Sequence, residues 1–235
     1  LQIGSIVWAI DNPYDLCILT TYFMPLYREW SSDPYSLAAI WELKEPESFF
    51  VERTGITSDI KSEKRRLEHL VGRFLLKYLK DNFPLLNIKP DEHDKPRLPD
   101  NQFYFSISHS FPYVAVVLSP YVECGIDIQV WHPRMEQLQH KFLAEREQQF
   151  FRDDPRLITL GWCAKEAVYK WQGRRGVDFI EHLPIIEVGK VSSIFNITFY
   201  LQLTVPKLEV VTKGFVEAAF ACSCVVHKQI FHPLF

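Results

Sequence analysis

Three segments carry side chains able to do acid–base or phosphoryl chemistry. In Trp162-Cys-Ala-Lys-Glu166-Ala-Val-Tyr-Lys170, charge and apolar surface sort onto opposite sides of a helix. At about 100° per residue, Leu160, Cys163, Ala164, Ala167, Val168 and Trp171 form an apolar stripe, while Trp162, Lys165, Glu166, Tyr169 and Lys170 share the other side. The simplest reading is a solvated face with a Glu166–Lys170 pair one turn apart, worth a few tenths of a kcal/mol (~0.2–0.5). The second segment, Gly125-Ile-Asp127-Ile-Gln129, alternates like a half-buried strand and puts Asp127 and Gln129 on one face. An aspartate among β-formers needs water, a charge partner or a metal, and Gly125 predicts a bulge or the close approach of another element. The third, Phe105-Ser-Ile-Ser108-His109-Ser110, follows Lys95-Pro96-Arg97-Leu98 and reads as a strand ending at Ser108-His109. Such an end can offer hydroxyl, imidazole and backbone N–H groups to an anion. A serine hydrolase is excluded: Ser108 and His109 are adjacent, and there is no Gly-x-Ser-x-Gly elbow.

These residues need scaffolding, and the pattern supplies it. Leu67, Leu70, Val71, Phe74, Leu75 and Tyr78 predict a helix over 62–80 with one buried stripe. Arg66, His69, Arg73 and Lys77 fall on an adjoining face, either a solvated basic surface or a cradle for a phosphorylated ligand facing Lys95 and His109. Residues 103–108 and 113–118 predict a hairpin across Ser110-Phe-Pro112, and 122–131 a strand. Residues 135–151 predict a charged helical region. Asp154-Pro155 predicts the N-cap and first position of the helix through Trp171, closed by Gly173–Gly176. Strands are expected over 183–188, 194–205, 207–211 and 215–227. Upstream, 3–8 and 16–22 are extended and apolar, followed by an irregular Pro-containing region. Helix then hairpin, twice, is an α+β pattern that suggests internal duplication, although no sequence repeat is visible. Ser119-Pro120 marks the boundary between an N-terminal unit, 1–119, and a C-terminal unit, 120–235.

Composition sets outer bounds. With 235 residues, 47% hydrophobic and 14% aromatic, the chain has material for a packed core, and a net charge of −3 excludes a broadly basic nucleic-acid binder. No apolar run approaches the ~20 residues of a membrane span, and residues 3–10 lack the basic flank of a signal peptide, so a cytoplasmic protein is expected. Cysteines at 17, 124, 163, 222 and 224 show no zinc spacing and read as reduced thiols, with Cys222 and Cys224 on one strand face and Cys163 as packing. Asp91-Glu-His-Asp94 reads as a solvated loop, Glu145-Arg146-Glu147 as surface charge, and His227 and His232 as histidines without partners.

In order and spacing, the three segments resemble the 4′-phosphopantetheinyl transferases, of the longer, surfactin-type class. That family carries Gly-(Ile/Val)-Asp-x-Glu, then Trp-(Ser/Thr/Cys)-x-Lys-Glu-(Ala/Ser)-x-x-Lys, with Gly-Lys-Pro and Ser-His-Ser upstream. Here the helix motif is matched throughout, Ser108–Ser110 is intact, and Gly-Lys-Pro survives as Asp94-Lys95-Pro96. Gly72-Arg73 matches a Gly-Arg pair that the family places near the nucleotide. Gln129 departs from the family's glutamate. The resemblance spans about residues 62–176.

It implies two similar α+β subdomains, each a helix on a small antiparallel sheet, about a pseudo-two-fold axis. It further implies Mg²⁺-dependent transfer of the phosphopantetheine arm of coenzyme A to a serine of an acyl, peptidyl or aryl carrier protein, with Mn²⁺ as an alternative metal. Asp127, Gln129 and Glu166 would hold the metal, and Glu166 and Lys170 would act with Asp127 in catalysis, Glu166 also as a base, directly or through water. Arg73, Lys95, Ser108, His109 and Lys165 would bind coenzyme A, which carries about four negative charges. Phe142, Leu143, Phe150 and Phe151 fall where the family contacts the carrier. A monomer is expected, with no nucleic acid or membrane partner. Two alternatives stand beside this: a non-catalytic coenzyme-A- or carrier-binding module, motivated by Gln129, and another metal-dependent phosphoryl-transfer enzyme.

Overall fold

Two antiparallel sheets lie back to back, each covered on its outer face by one long helix. The structure is a computed structural model that describes residues 25–204 and 206–227. The stretches at 3–8 and 16–22, and His232, lie outside the described residues. In chain order the elements are β1 (Leu26–Asp33), β2 (Ser36–Glu42), α1 (Glu47–Thr54), α2 (Glu63–Leu79), β3 (Lys89–Pro90), β4 (Pro96–Arg97), β5 (Tyr104–Ser110), β6 (Tyr113–Ser119), β7 (Ile126–Val130), α3 (Met135–Leu138), α4 (Glu145–Gln148), α5 (Pro155–Gln172), β8 (Ile185–Val191), β9 (Ile194–Leu201), β10 (Leu208–Val216) and β11 (Phe220–Val226). The first sheet runs β1-β2-β6-β5 and the second β7-β11-β10-β9-β8. The α+β expectation therefore holds.

Period two in the strands builds three apolar layers. Leu70, Val71 and Leu75 of α2 pack on Ala39, Trp41, Val114 and Val116 of the first sheet. Cys163, Ala164, Ala167 and Val168 of α5 pack with Ile197, Phe199, Ala221 and Val225 of the second. Between the sheets, Ala38, Ile40, Ala115 and Val117 meet Ile126, Ile128, Phe220, Cys222 and Cys224. Cys222 and Cys224 do share a face, and Cys124, Cys163, Cys222 and Cys224 are free and buried.

Both long helices start and stop where the sequence predicts. Ser62 accepts from Arg65 N at 3.5 Å; Asp154 accepts from Arg156 N at 2.9 Å ahead of Pro155. Gly173 ends α5 with φ +76°, a conformation that favours glycine.

Three expectations change. The irregular Pro-containing region contains the β1–β2 hairpin, turned at Asp33, whose Oδ1 accepts from Tyr35 N at 2.8 Å. As an edge strand, β1 alternates half-buried and exposed positions over 26–31, but its half-buried face includes Arg28 and its exposed face Tyr27, so the apolar alternation in the sequence is blurred. Residues 135–151 form short turns because Phe142, with φ −138°, leaves the helical region as it and Leu143 turn into the core. The separate strands over 207–211 and 215–227 are bounded differently: β10 runs unbroken through Gly214. A Cβ there would lie 2.6 Å from Leu160 Cδ1, so this glycine admits α5 to the sheet instead of breaking the strand.

Candidate active site

The two sheets are joined edge to edge by serines. Alternate residues of β5 point at β7: Ser106 Oγ accepts from Ile126 N (3.2 Å), Ser108 Oγ from Ile128 N (3.3 Å) and Ser110 Oγ from Val130 N (3.0 Å). Three hydroxyls thus satisfy the β7 donors that a neighbouring strand would otherwise take. Ser108, already held from one side, donates its own proton to Asp127 Oδ1 at 2.7 Å. Asp127 is thereby fixed on the face of β7 that looks at α5.

On α5, Lys170 reaches the same oxygen. Its Nζ lies 2.6 Å from Asp127 Oδ1 and 3.3 Å from Ile126 O. An ammonium has three donors, so one is left for a ligand. Glu166, one turn earlier, makes no hydrogen bond among the described residues. Loss of hydration, reinforced by the Asp127 carboxylate and opposed by Lys170, pushes its pKa up to about 7. The simple Glu166–Lys170 surface pair is thus replaced by a partly buried triad in which Lys170 bonds Asp127. Among the described residues Gln129 Oε1 is also without a hydrogen bond, since Gln129 uses Nε2 to donate to Val130 O at 3.1 Å, while the Asp127 carboxylate meets the Cys163 thiol besides Ser108 and Lys170.

Gly125 makes the approach of α5 feasible. A Cβ there would stand 2.1 Å from Ala167 O and 2.7 Å from Trp171 Cβ, so the predicted close approach is that of the helix backbone. Gly125→Ala must push α5 away from β7. We expect a loss of at least about 1–3 kcal/mol of stability, measured by denaturant unfolding; an unchanged midpoint would contradict this packing.

Beside the triad lies a cleft of about 220 Å³, lined by Lys95, Phe105, Ile107, Tyr169, Lys170 and Arg175 among others. Lys95 is on its wall but is fully engaged. Its Nζ donates to Glu123 Oε1 (2.7 Å) and to the α5 carbonyls of Lys170 (2.5 Å) and Trp171 (3.5 Å), capping the helix rather than waiting for phosphate. The loop ahead of it is not merely solvated. Asp91 accepts from His93 N, Lys95 N and Arg97 Nε, and although loss of hydration pushes its carboxyl up, these partners bring it to about 2. Asp94 holds φ +62°, the left-handed conformation that glycine adopts freely and that the family fills with glycine.

The other expected coenzyme A ligands are spread out. Ser108 and His109 are neighbours on a strand and face opposite ways: Ser108 serves Asp127, while His109 turns to α2, with Nδ1 3.2 Å from Glu68. Arg73 is half-buried, held below its usual range by loss of hydration, and does not line the cleft. The basic stripe is no cradle facing Lys95. Arg66 pairs with Glu47 at 2.8 Å and Lys77 donates to Arg53 O, both tying α1 to α2.

Lys165 is the clearest departure. It is fully buried, bonded to Glu147 Oε2 and to Phe179 O, each at 2.7 Å. Glu147 is equally buried and accepts from Ala144 N and Ile185 N. Neither is surface charge: α5 is covered by the second sheet on one side and by the α4 and 177–185 segments on the other, so a two-sided wheel misplaces Lys165. Of the aromatic region, Phe142, Leu143 and Phe151 are core and Phe150 is exposed. His227 does have partners, donating from Nε2 to Glu123 O and from its backbone N–H to Asp33. Cys163 is wholly buried with its thiol pushed well up by loss of hydration, which suits packing.

Residues 123–214, which include Asp127, Glu166 and Lys170, match the family described as the 4′-phosphopantetheinyl transferase superfamily. Over that stretch, about two fifths of the chain, the sequence is similar to that superfamily. A relative from Haemophilus influenzae, named "Putative 4'-phosphopantetheinyl transferase", is 31% identical over 152 residues. That match covers 60% of this chain and 65% of the relative, so less than two thirds of the relative's length is spanned. Asp127, Glu166 and Lys170, the residues expected from the sequence to carry the chemistry, come together in the structure. The sequence does not reveal the strand-joining role of Ser106 and Ser110, the buried pairing of Glu147, or the placement of Glu68 and Arg175. The Ser-x-Ser-x-Ser period of β5 was the available signal for the first two.

Proposed function

We propose that this protein transfers the 4′-phosphopantetheine arm of coenzyme A to a serine hydroxyl of an acyl, peptidyl or aryl carrier protein and releases adenosine 3′,5′-bisphosphate. The observation that carries this is the Asp127–Lys170–Glu166 triad, partly buried beside the Lys95 cleft within the matched region. The carrier serine oxygen attacks the pantetheine-side phosphorus, and the bond to the bridging oxygen breaks. The serine proton passes to Glu166, and the electron pair leaves with the adenosine bisphosphate. Lys170 offsets the charge that builds on the bridging oxygen. A desolvated carboxylate with proton affinity near neutrality is suited to accept that proton. The donor set fits a hard divalent cation. Asp127, Glu166 and Gln129 present oxygens on strand and helix faces that look at each other, and among the described residues the Glu166 carboxylate and Gln129 Oε1 make no hydrogen bond. When bound there, Mg²⁺ (or Mn²⁺) would neutralise the pyrophosphate.

Gln129 also supports a second reading, a module that binds coenzyme A or a carrier without turnover, because it offers a neutral oxygen where a carboxylate would bind metal more tightly. Gln129→Glu is expected to lower the Mg²⁺ concentration for half-maximal activity by about tenfold; an unchanged value would give Gln129 a water-mediated role. The two sheets, each with its helix, support the surfactin-type class with units 1–119 and 120–235 about a pseudo-two-fold axis. A chain with both halves is expected to sediment as a monomer, and its free buried thiols fit a reducing, cytoplasmic compartment. Chromatography of coenzyme A incubated with apo carrier proteins and Mg²⁺ tests the reaction. Adenosine 3′,5′-bisphosphate should form and disappear with EDTA; its absence with every carrier, despite coenzyme A binding, would favour the module.

A further inference from the structure

We propose that Glu68 positions His109 for the 3′-phosphate of coenzyme A; this rests on the transferase reading. The strand period divides β5 between two tasks. Ser106, Ser108 and Ser110 face β7, while Phe105, Ile107 and His109 face α2. Ile107 Cγ2 lies 3.0 Å from where a Cβ of Gly72 would be, and one helical turn earlier Glu68 meets His109 two residues further along the strand. Glu68 is 3% exposed. A carboxylate removed from water is costly unless partnered. Among the described residues its ion-pair partner is His109, with Oε2 3.2 Å from Nδ1, and no lysine or arginine pairs with it.

The histidine side chain is 51% exposed, so the buried acid anchors a ring that still reaches solvent. Anchoring at Nδ1 leaves Nε2 as the free nitrogen, and the nitrogen that carries out recognition is set by what the other one bonds. With an anion bound, the ring donates from Nδ1 to Glu68 and from Nε2 to a phosphate oxygen. Positive charge flanks the same end of the hairpin: Lys64 Nζ sits 5.3 Å from the ring centre of Phe111, two residues beyond His109. Glu68 touches no substrate in this arrangement. It fixes the ring, so its loss should weaken recognition of one phosphate without altering the transfer step.

The test compares coenzyme A with 3′-dephospho-coenzyme A in the wild type, Glu68→Gln, Glu68→Asp, His109→Ala and the Glu68→Gln/His109→Ala double variant. Glu68→Gln should raise the KM for coenzyme A about tenfold, the loss typical of an orienting partner, with kcat unchanged and the KM for 3′-dephospho-coenzyme A unchanged. Glu68→Asp keeps the charge but withdraws it from Nδ1, and should lie between the two. The effect should vanish in the His109→Ala background. An equal rise with both substrates, or one that persists without His109, would make Glu68 structural only and overturn the assignment. The same comparison made by calorimetric Kd needs no turnover. A wild type that binds coenzyme A but transfers nothing would therefore sink the transferase reading while the Glu68 assignment is still decided.

Discussion

Glu166→Gln should abolish transfer and, in metal-free buffer at pH 8, raise the melting temperature. The wild-type carboxyl titrates near 7 when folded against 4.5 in its ordinary state, chiefly because burial and then Asp127 disfavour its charge. Between those values the folded protein holds a proton that the unfolded chain has lost, so stability falls as pH rises from about 4.5 to about 7 and stays lowered above that. The shift corresponds to about 3 kcal/mol. A neutral glutamine escapes this penalty. The variant should match the wild type at pH 4 and exceed it increasingly toward pH 8. Mg²⁺ should narrow the gap by stabilising the wild type alone. Calorimetric melts from pH 4 to 8, with and without Mg²⁺, check this; a variant less stable than the wild type at pH 8 would mean that Glu166 is not held in an unfavourable charged state.

A comparable effect, opposite in sign, is expected where α4 packs on α5. Glu147→Leu strands the Lys165 ammonium and the N–H groups of Ala144 and Ile185 together, and should cost about 3–5 kcal/mol or prevent folding. Lys165→Met removes the charge but leaves Glu147 its two backbone donors, so it should cost less. Denaturant midpoints of both variants decide the order. Lys165→Met that keeps its stability but loses coenzyme A affinity would instead return Lys165 to phosphate binding.

How much was legible follows from what local patterns encode. Caps and apolar stripes place α2 and α5 because both are local, and alternation places β5 to β7 and the face that carries Asp127. Gly125 announced a close approach, though not by which element. The partnership of Asp127 with Lys170 joins residues 43 apart in sequence; only a family resemblance put them in one site. Lys165 escaped because a helical wheel has two sides and α5 is covered on more. Adjacency in sequence suggests that Ser108 and His109 share one anion site, yet period two puts them on opposite faces of β5. Glu147 reads as ordinary surface charge and Glu68 carries no signal in the sequence; their burial depends on the 177–185 segment and on β5, which no local window contains.

The most direct test of the triad's role is intact-mass spectrometry of an apo carrier protein after incubation with coenzyme A, Mg²⁺ and either wild type or Asp127→Asn. The wild type should add one phosphopantetheine mass to the carrier, lost when the carrier serine is changed to alanine. Asp127→Asn, folded by its melting curve, should add none. Equal modification by the two proteins would contradict the assignment of chemistry to Asp127, Glu166 and Lys170.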